Sequence, residues 1–297
     1  GRRDEQHEGG QGGDQGEHLI SLSTFCSFGA HRKVRIGSFY FRVVRNDYKL
    51  LKFNDYISLF KRPLANRGEF IPMKRKRVNL SITDGIAMVL LDRPEVLNAL
   101  DQQMWEELVN VFRSATNDPK VRVVIISGIG RGFCVGADLK EVAWRGESQI
   151  QSRRRIEANN QQLAREMIGA PMPIIAAING YALGGGVEIA LAADLRIASA
   201  EARLGFPETT IGRFISGGAS LMLPRAVGIA WAKRLIYTGE HIDAAKALTI
   251  GLIEEVTAPE TLTERAVELA KTIANNAPVS IALAKKVLNR VSVGDLE

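Results

Sequence analysis

Apolar and polar positions follow no period over the first quarter of the chain and fall into regular patterns only from Met73 onward. Residues 1–18 are mostly Gly, Gln, Glu, Asp, Arg and His without apolar periodicity, a composition that cannot bury enough apolar surface to order itself. Residues 19–72 mix aromatic and basic side chains (Phe39, Tyr40, Phe41, Tyr48, Phe53, Tyr56) with no period of 2 or 3.6. Residues 1–72 are therefore expected to be a disordered or non-native extension, and 73–297 a globular core. Met73, the first methionine, is the expected native start, and the eight acidic residues before it argue against a transit peptide.

From residue 73 the pattern predicts alternating strands and helices. Segments 78–82 and 86–91 read as strands joined by a hairpin turn at Thr83, Asp84 and Gly85. Leu100, Met104, Leu108, Val111 and Phe112 lie at helical spacing, predicting a helix over 100–115. Segment 121–127 (VRVVIIS) is a β-branched run typical of a buried strand, and 173–178 reads as another. A polar helix is predicted over 150–168 and a short apolar one over 187–193. Segments 195–198 and 202–204 look like a second strand pair. Helices follow over 219–223, 230–237, 244–251, 260–276 and 279–291. Strands alternating with helices define an α/β protein of stacked ββα units.

Composition and charge narrow the function classes. Hydrophobic residues make up 45% and charged residues 24%, ample for a core. No run of 18 uncharged apolar residues appears, so no membrane helix is expected. Residues 1–72 carry 12 Lys/Arg against 8 Asp/Glu, leaving 27 against 25 in the remainder of the +6 chain. The core is thus almost neutral, and its one basic run, Lys74 to Arg77, reads as a solvated edge rather than a nucleic-acid footprint. Cys26 and Cys134 form neither a disulfide framework nor a zinc motif, and His7, His18, His31 and His241 are scattered. No metal is expected, and the cysteine usage fits a reducing compartment such as the cytoplasm.

Three segments carry candidate chemistry. Residues 180–193 (GYALGGGVEIALAA) run from a strand through three glycines into a helix. Glycines permit close approach of a ligand, and the free N–H groups of a helix start suit a developing oxyanion. A turn needed only for close packing is the competing explanation. Glu188 changes the balance, because its neighbours are apolar on every face of the helix and carry it inside. A buried carboxylate is costly unless paired or protonated, and such groups concentrate at functional sites. Glu208 follows Pro207 in a loop leaving a strand, where a helix-start carboxylate is the plainer reading; two carboxylates in one pocket, however, equip a site for general acid–base work. In residues 131–140 (RGFCVGADLK) the N–H of Ala137 is a candidate second oxyanion donor, against an ordinary turn with Asp138 as helix cap. Cys134 has no nearby histidine and reads as a small core residue.

Taken together, these segments resemble the crotonase, or enoyl-CoA hydratase/isomerase, superfamily over residues 73–297. Residues 91–100 (LDRPEVLNAL) are similar to the family's first CoA-contacting loop. Residues 133–140 are similar to the segment whose Ala137 position gives one oxyanion N–H. Residues 179–188 are similar to the segment giving the other, from Gly185 next to Gly184, and the first catalytic glutamate, Glu188. Residues 205–208 match the segment bearing the second, Glu208. The resemblance implies a crotonase-like spiral of stacked ββα units, a homotrimer or dimer of trimers, and an acyl-CoA thioester substrate held by Glu95, Val96, Leu97, Val135, Asp138, Leu139 and Gly184. It implies no added cofactor, since coenzyme A is part of the substrate. Two departures stand out. Ser216 occupies a usual glycine in the wall of the acyl pocket, and family chains usually continue for about two helices beyond the position of Glu297.

The activity implied is syn hydration of trans-2-enoyl-CoA to 3-hydroxyacyl-CoA, as in fatty-acid metabolism. An enoyl-CoA isomerase or a related acyl-CoA lyase is the alternative enzyme. An RNA-binding or scaffold protein is the alternative outside enzymes, with the run from Lys74 to Arg77 as its only support. No DNA or membrane partner is expected, and location is cytoplasmic, or mitochondrial in a eukaryote.

Overall fold

The structure, a computed structural model, describes residues 19–27, 33–42, 75–144, 146 and 148–293. The chain divides into two units, Gly1–Ile71 and Pro72–Glu297. In the first, β1 (Leu19–Ser27) and β2 (Lys33–Arg42) pair antiparallel, with the register shifting between Ser23 and Phe25. That strand pair apart, the expectation of a disordered or non-native segment over 1–72 falls on residues outside those described.

The second unit opens with the expected hairpin, β3 (Val78–Thr83) and β4 (Ile86–Leu91). Its turn places both Asp84 (φ 52°) and Gly85 (φ 78°) in the left-handed region, which matches the twist of antiparallel strands. The chain continues through α1 (Gln102–Asn117), β5 (Val123–Gly128), β6 (Gly132–Cys134), α2 (Leu139–Trp144) and α3 (Gln149–Ile156). A π-helical turn, Glu157–Gln161, leads into α4 (Gln162–Gly169), β7 (Ile174–Ile178), β8 (Tyr181–Leu183) and α5 (Gly185–Ala192). Then come β9 (Leu195–Ser199), β10 (Arg203–Gly205), α6 (Ala219–Thr238), β11 (His241–Asp243), α7 (Ala244–Thr249), β12 (Glu255–Thr257), α8 (Leu262–Ala274) and α9 (Pro278–Val293).

The strands form two sheets. One has six strands in the order β12-β9-β7-β5-β4-β3, parallel except for the β3–β4 hairpin; the other has four, ordered β11-β10-β8-β6. Three times the chain lays a longer strand in the large sheet, a three-residue strand in the small one, and then helix: β5-β6, β7-β8 and β9-β10. This is the predicted spiral of ββα units. Residues 195–198 and 202–204 are not a strand pair, though. β9 pairs with β7 and β12, and β10 with β8 and β11. Both edges of each strand are taken by other strands, so the chain turns at Ser199–Ala202 (N–H to carbonyl, 2.9 Å) and crosses to the other sheet.

Strand β5 is buried on both faces. Val124 and Ile126 join the main core with α1, while Val123 and Ile125 pack with Leu262, Ala266 and Ala270 of α8. Helix α1 begins where Asp101 accepts a hydrogen bond from Met104 N (2.9 Å), an N-cap interaction that satisfies one free N–H. Gly169, at the end of α4, has helical dihedrals and open space where a Cβ would sit. Gly169→Ala is accordingly expected to stabilise the protein by about 0.4–1 kcal/mol, chiefly by restricting the unfolded chain, measurable as a rise in urea midpoint at constant m-value.

Candidate active site

The site is assembled just beyond the ends of β6, β8 and β10, neighbours in the small sheet. Asn179, between β7 and β8, ties this region to the end of β5: its Oδ1 accepts from Gly128 N (3.0 Å) and its Nδ2 donates to Gly130 O (2.8 Å). After β8, Gly184 adopts φ +50° and donates its N–H to Gly205 O (2.9 Å). That conformation is costly for a residue with a Cβ, and here it turns the chain directly into α5. Gly186 lets α5 lie flat on β6; a Cβ there would fall 1.9 Å from the Cys134 carbonyl oxygen.

Gly185 is the first residue of α5, so its N–H has no partner within the helix. Ala137 sits in a parallel bridge with Leu100, in which Gly136 O accepts from Leu100 N (2.8 Å) and Asp138 N donates to Leu100 O (2.9 Å). Ala137's own N–H therefore points to the opposite side. Neither N–H has a backbone acceptor among the described residues. The two loops touch: a Cβ built on Gly136 would lie 3.0 Å from Gly185 N.

Glu188 is 4% exposed, as the apolar surroundings in the sequence predict. Its Oε1 accepts from Gly217 N at 2.7 Å and from Ala219 N at 3.5 Å. Burial pushes its carboxyl up to about 7; the charge of Glu208 adds to the rise, while the N–H groups of Gly217, Ala219 and Ser216 oppose it. Glu208 lies in the short helical turn Pro207–Ile211, so the plainer reading of a helix-start carboxylate also holds. Its side chain nevertheless turns inward. Oε1 lies against Gly184, where a Cβ would sit 2.4 Å away, and Oε2 is buried without a hydrogen-bond partner. Burial raises its pKa too, against the pull of its own N–H and of Arg213. The two carboxylates thus flank the Gly184–Gly186 turn.

The other predicted residues form an adjoining rim. Glu95 and Val96 belong to the 3₁₀ turn Pro94–Val96, and Leu97 (φ 52°) and Asn98 (φ 57°) follow in the left-handed region. Asn98, which the sequence pattern did not single out, holds this strained turn: it accepts from Arg93 N (2.7 Å) and donates to Gly132 O (2.8 Å) and Ile129 O (3.1 Å). Val135 N donates to Leu97 O (3.2 Å), joining this turn to the 135–139 loop. Leu139 stands half exposed. The side chain of Asp138 is occupied: one oxygen accepts from Lys140 N (3.1 Å) and the other pairs with Arg93 (3.0 Å). Burial works against its charge, yet Arg93 holds its pKa below the usual range. Cys134 is fully buried, and burial pushes its thiol up to about 12, which suits a core residue and not a nucleophile. Of the basic run, Arg75 pairs with Asp92 (2.8 Å) and Arg77 with Asp101, the behaviour of an edge packed onto its own domain; Lys74 lies outside the described residues.

Glu188 also makes stability depend on pH. Its folded pKa of about 7 exceeds the ordinary value of 4.5, so between these values the folded chain binds more protons than the unfolded one. Stability from this group is complete below pH 4.5 and is lost as pH rises through 7, by about 3 kcal/mol at 1.36 kcal/mol per unit. Glu188→Gln removes this dependence. Relative to the parent, the variant is expected to gain stability from pH 5 to pH 8, measured by urea unfolding at each pH.

Among the described residues, no group of three or more His, Cys, Asp or Glu is placed to hold a metal ion, and no helix is long and apolar enough to cross a membrane. The stacked ββα units and paired carboxylates define a crotonase-fold protein. A family model for enoyl-CoA hydratase/isomerase matches residues 81–296, and the chain belongs to that family. It is 38% identical over 226 residues to the short-chain-enoyl-CoA hydratase of Clostridium acetobutylicum, covering 76% of this chain and 85% of that one. It is 33% identical to the crotonyl-CoA hydratase of Syntrophomonas wolfei, covering 76% and 86%. The crystal structure of an enoyl-CoA hydratase from Bacillus anthracis superimposes with a TM-score of 0.69 at 39% identity, covering 72% of this chain and 83% of that one.

Proposed function

We propose that this protein hydrates trans-2-enoyl-CoA thioesters to 3-hydroxyacyl-CoA. The observation that carries the reading is the placing of buried Glu188 one turn into the helix whose first N–H, at Gly185, is free, with the Glu208 carboxylate against the preceding glycine. The thioester oxygen is held by the N–H groups of Ala137 and Gly185, which favour the enolate-like transition state; one such donor is worth about 2.7–4 kcal/mol. Glu188 orients or deprotonates the water that attacks Cβ, and Glu208 supplies the proton to Cα. Pushed up to about 7, the Glu188 carboxyl suits proton exchange near neutral pH, and burial raises that of Glu208 as well. The rim of residues 95–97, 135, 138 and 139 receives the CoA moiety, with coenzyme A entering only as part of the substrate.

Loss of enoyl-thioester absorbance on mixing with crotonyl-CoA is the expected result. Unchanged absorbance with crotonyl-CoA and longer enoyl-CoA esters refutes the activity, and conversion of a 3-enoyl-CoA instead identifies an isomerase. Assembly as a homotrimer or dimer of trimers belongs to the same proposal. The exposed apolar side chains Phe214, Tyr237 and Ile211 support it, and the mass of the assembly in solution tests it. A reducing compartment, cytoplasmic or mitochondrial, fits the free, buried Cys134.

A further inference from the structure

Ser216, the departure in the acyl-pocket wall, has a partner in the structure. Its Oγ accepts a hydrogen bond from Asn160 Nδ2 at 2.8 Å. Asn160 lies in the π-helical turn Glu157–Gln161 that interrupts the predicted helix, and such turns recur at functional sites because the extra residue re-aims a side chain. Two neighbouring amides are sent different ways here. Asn159 Nδ2 reaches Gln102 Oε1 (2.9 Å), and Asn160 turns to Ser216. The other end of the Asn160 amide, Oδ1, is buried and has no hydrogen-bond partner. Asn160 lines a small cavity together with Gly185, Glu188 and Gly217, the rest of its lining being apolar side chains that include Trp105 and Met167. About 10 Å³ of it is open to the centre of a water molecule, room for one water or one hydroxyl group.

We infer that Asn160, held by Ser216, is a specificity-determining residue that gives the acyl pocket a polar, hydroxyl-sized subsite for a hydrogen-bond donor on the acyl group. This deepens the hydratase reading and rests on it. A buried acceptor without a partner is unfavourable, so an occupant that donates a hydrogen bond is preferred over one that cannot. A pocket built around such a group rejects an isostere lacking the donor far more strongly than an apolar pocket rejects an added hydroxyl. A glycine at 216 would leave the Asn160 amide without its anchor, so the two residues act as a pair. Because the cavity admits one water-sized group and Glu188 faces it, the donor is a hydroxyl close to the reacting carbons, and an anionic carboxylate is disfavoured.

The test compares two isosteric esters, 4-hydroxybut-2-enoyl-CoA and pent-2-enoyl-CoA, which differ by a hydroxyl in place of a methyl, with crotonyl-CoA as reference. The ratio of kcat/KM for the hydroxy ester to that for the pentenoyl ester is expected to exceed about 10 in the parent. It is expected to fall to 1 or below in Asn160→Leu, and to fall in the same direction in Ser216→Gly. A ratio is internal to each protein, so it does not depend on how much of a variant folds. The parent ratio decides the matter if a variant yields no folded protein. A parent ratio at or below 1, or one that Asn160→Leu leaves unchanged, overturns the subsite while hydration of crotonyl-CoA leaves the activity standing. Failure of the parent to hydrate all three esters overturns the activity and the subsite together.

Discussion

Glu188→Gln is expected to lower kcat on crotonyl-CoA by about 10²–10⁴-fold, the usual worth of a positioned acid–base group. The substitution is nearly isosteric, and the amide oxygen can keep the hydrogen bond from Gly217 N that Oε1 now accepts at 2.7 Å. It also removes a carboxyl that burial disfavours in its charged form, so the folded state is not expected to suffer at neutral pH. Activity and stability should therefore separate, with a large loss in steady-state hydration and an unchanged or raised urea midpoint at pH 8. Glu208→Gln is expected to lose activity over the same range, because its carboxylate lies against Gly184 at the other side of the turn. A Glu188→Gln enzyme that turns over at the parental rate would remove the paired-carboxylate mechanism.

Gly186→Ala is expected to damage both fold and rate. A Cβ on Gly186 would lie 1.9 Å from the Cys134 carbonyl oxygen and 2.8 Å from its carbon. Restoring an ordinary C···O contact of about 3.3 Å requires α5 and β6 to part by more than about 1 Å. Both are fully buried backbone, so no flexible side chain can give way. Forcing one methyl into packed core typically costs about 1–3 kcal/mol, and more where backbone must move. The same displacement carries Gly185 N–H and Glu188 away from the site, and misplacement of that size costs about 10²-fold in rate. Urea unfolding and crotonyl-CoA kinetics on one preparation check both halves. Gly169→Ala, which meets open space, is the control. A Gly186→Ala protein with parental stability and rate would mean that this close approach does not position the site.

The sequence by itself determined the elements whose periodicity is long enough to read. The amphipathic stripe of α1, the β-branched run of β5 and the Asp84–Gly85 turn each fix local structure through short-range sterics and burial, and each is found within one or two residues of its predicted place. It also determined that Glu188 goes inside, because a helix apolar all round leaves its one charged residue no surface to reach. Strands β6, β8, β11 and β12 were not legible, since three residues carry no period and each pairs only where the fold lays its backbone beside a neighbouring strand. Strands β9 and β10 were legible as strands but not in their pairing: they look like a hairpin in sequence and are separated by competition from neighbouring strands.

The tertiary structure alone decided how the candidate site is closed. That Glu208 turns its carboxylate against Gly184, and is not merely a helix-start charge, follows from β10 pairing alongside β8, which sets residues 184 and 208 face to face. That Asp138 is spent on Arg93, that Asn98 and Asn179 lace the loops, and that Asn160 finds Ser216 across 56 residues are pairings between groups far apart in the chain. Their geometry depends on where the strands end, and side-chain identity at a single position carries no record of its distant partner.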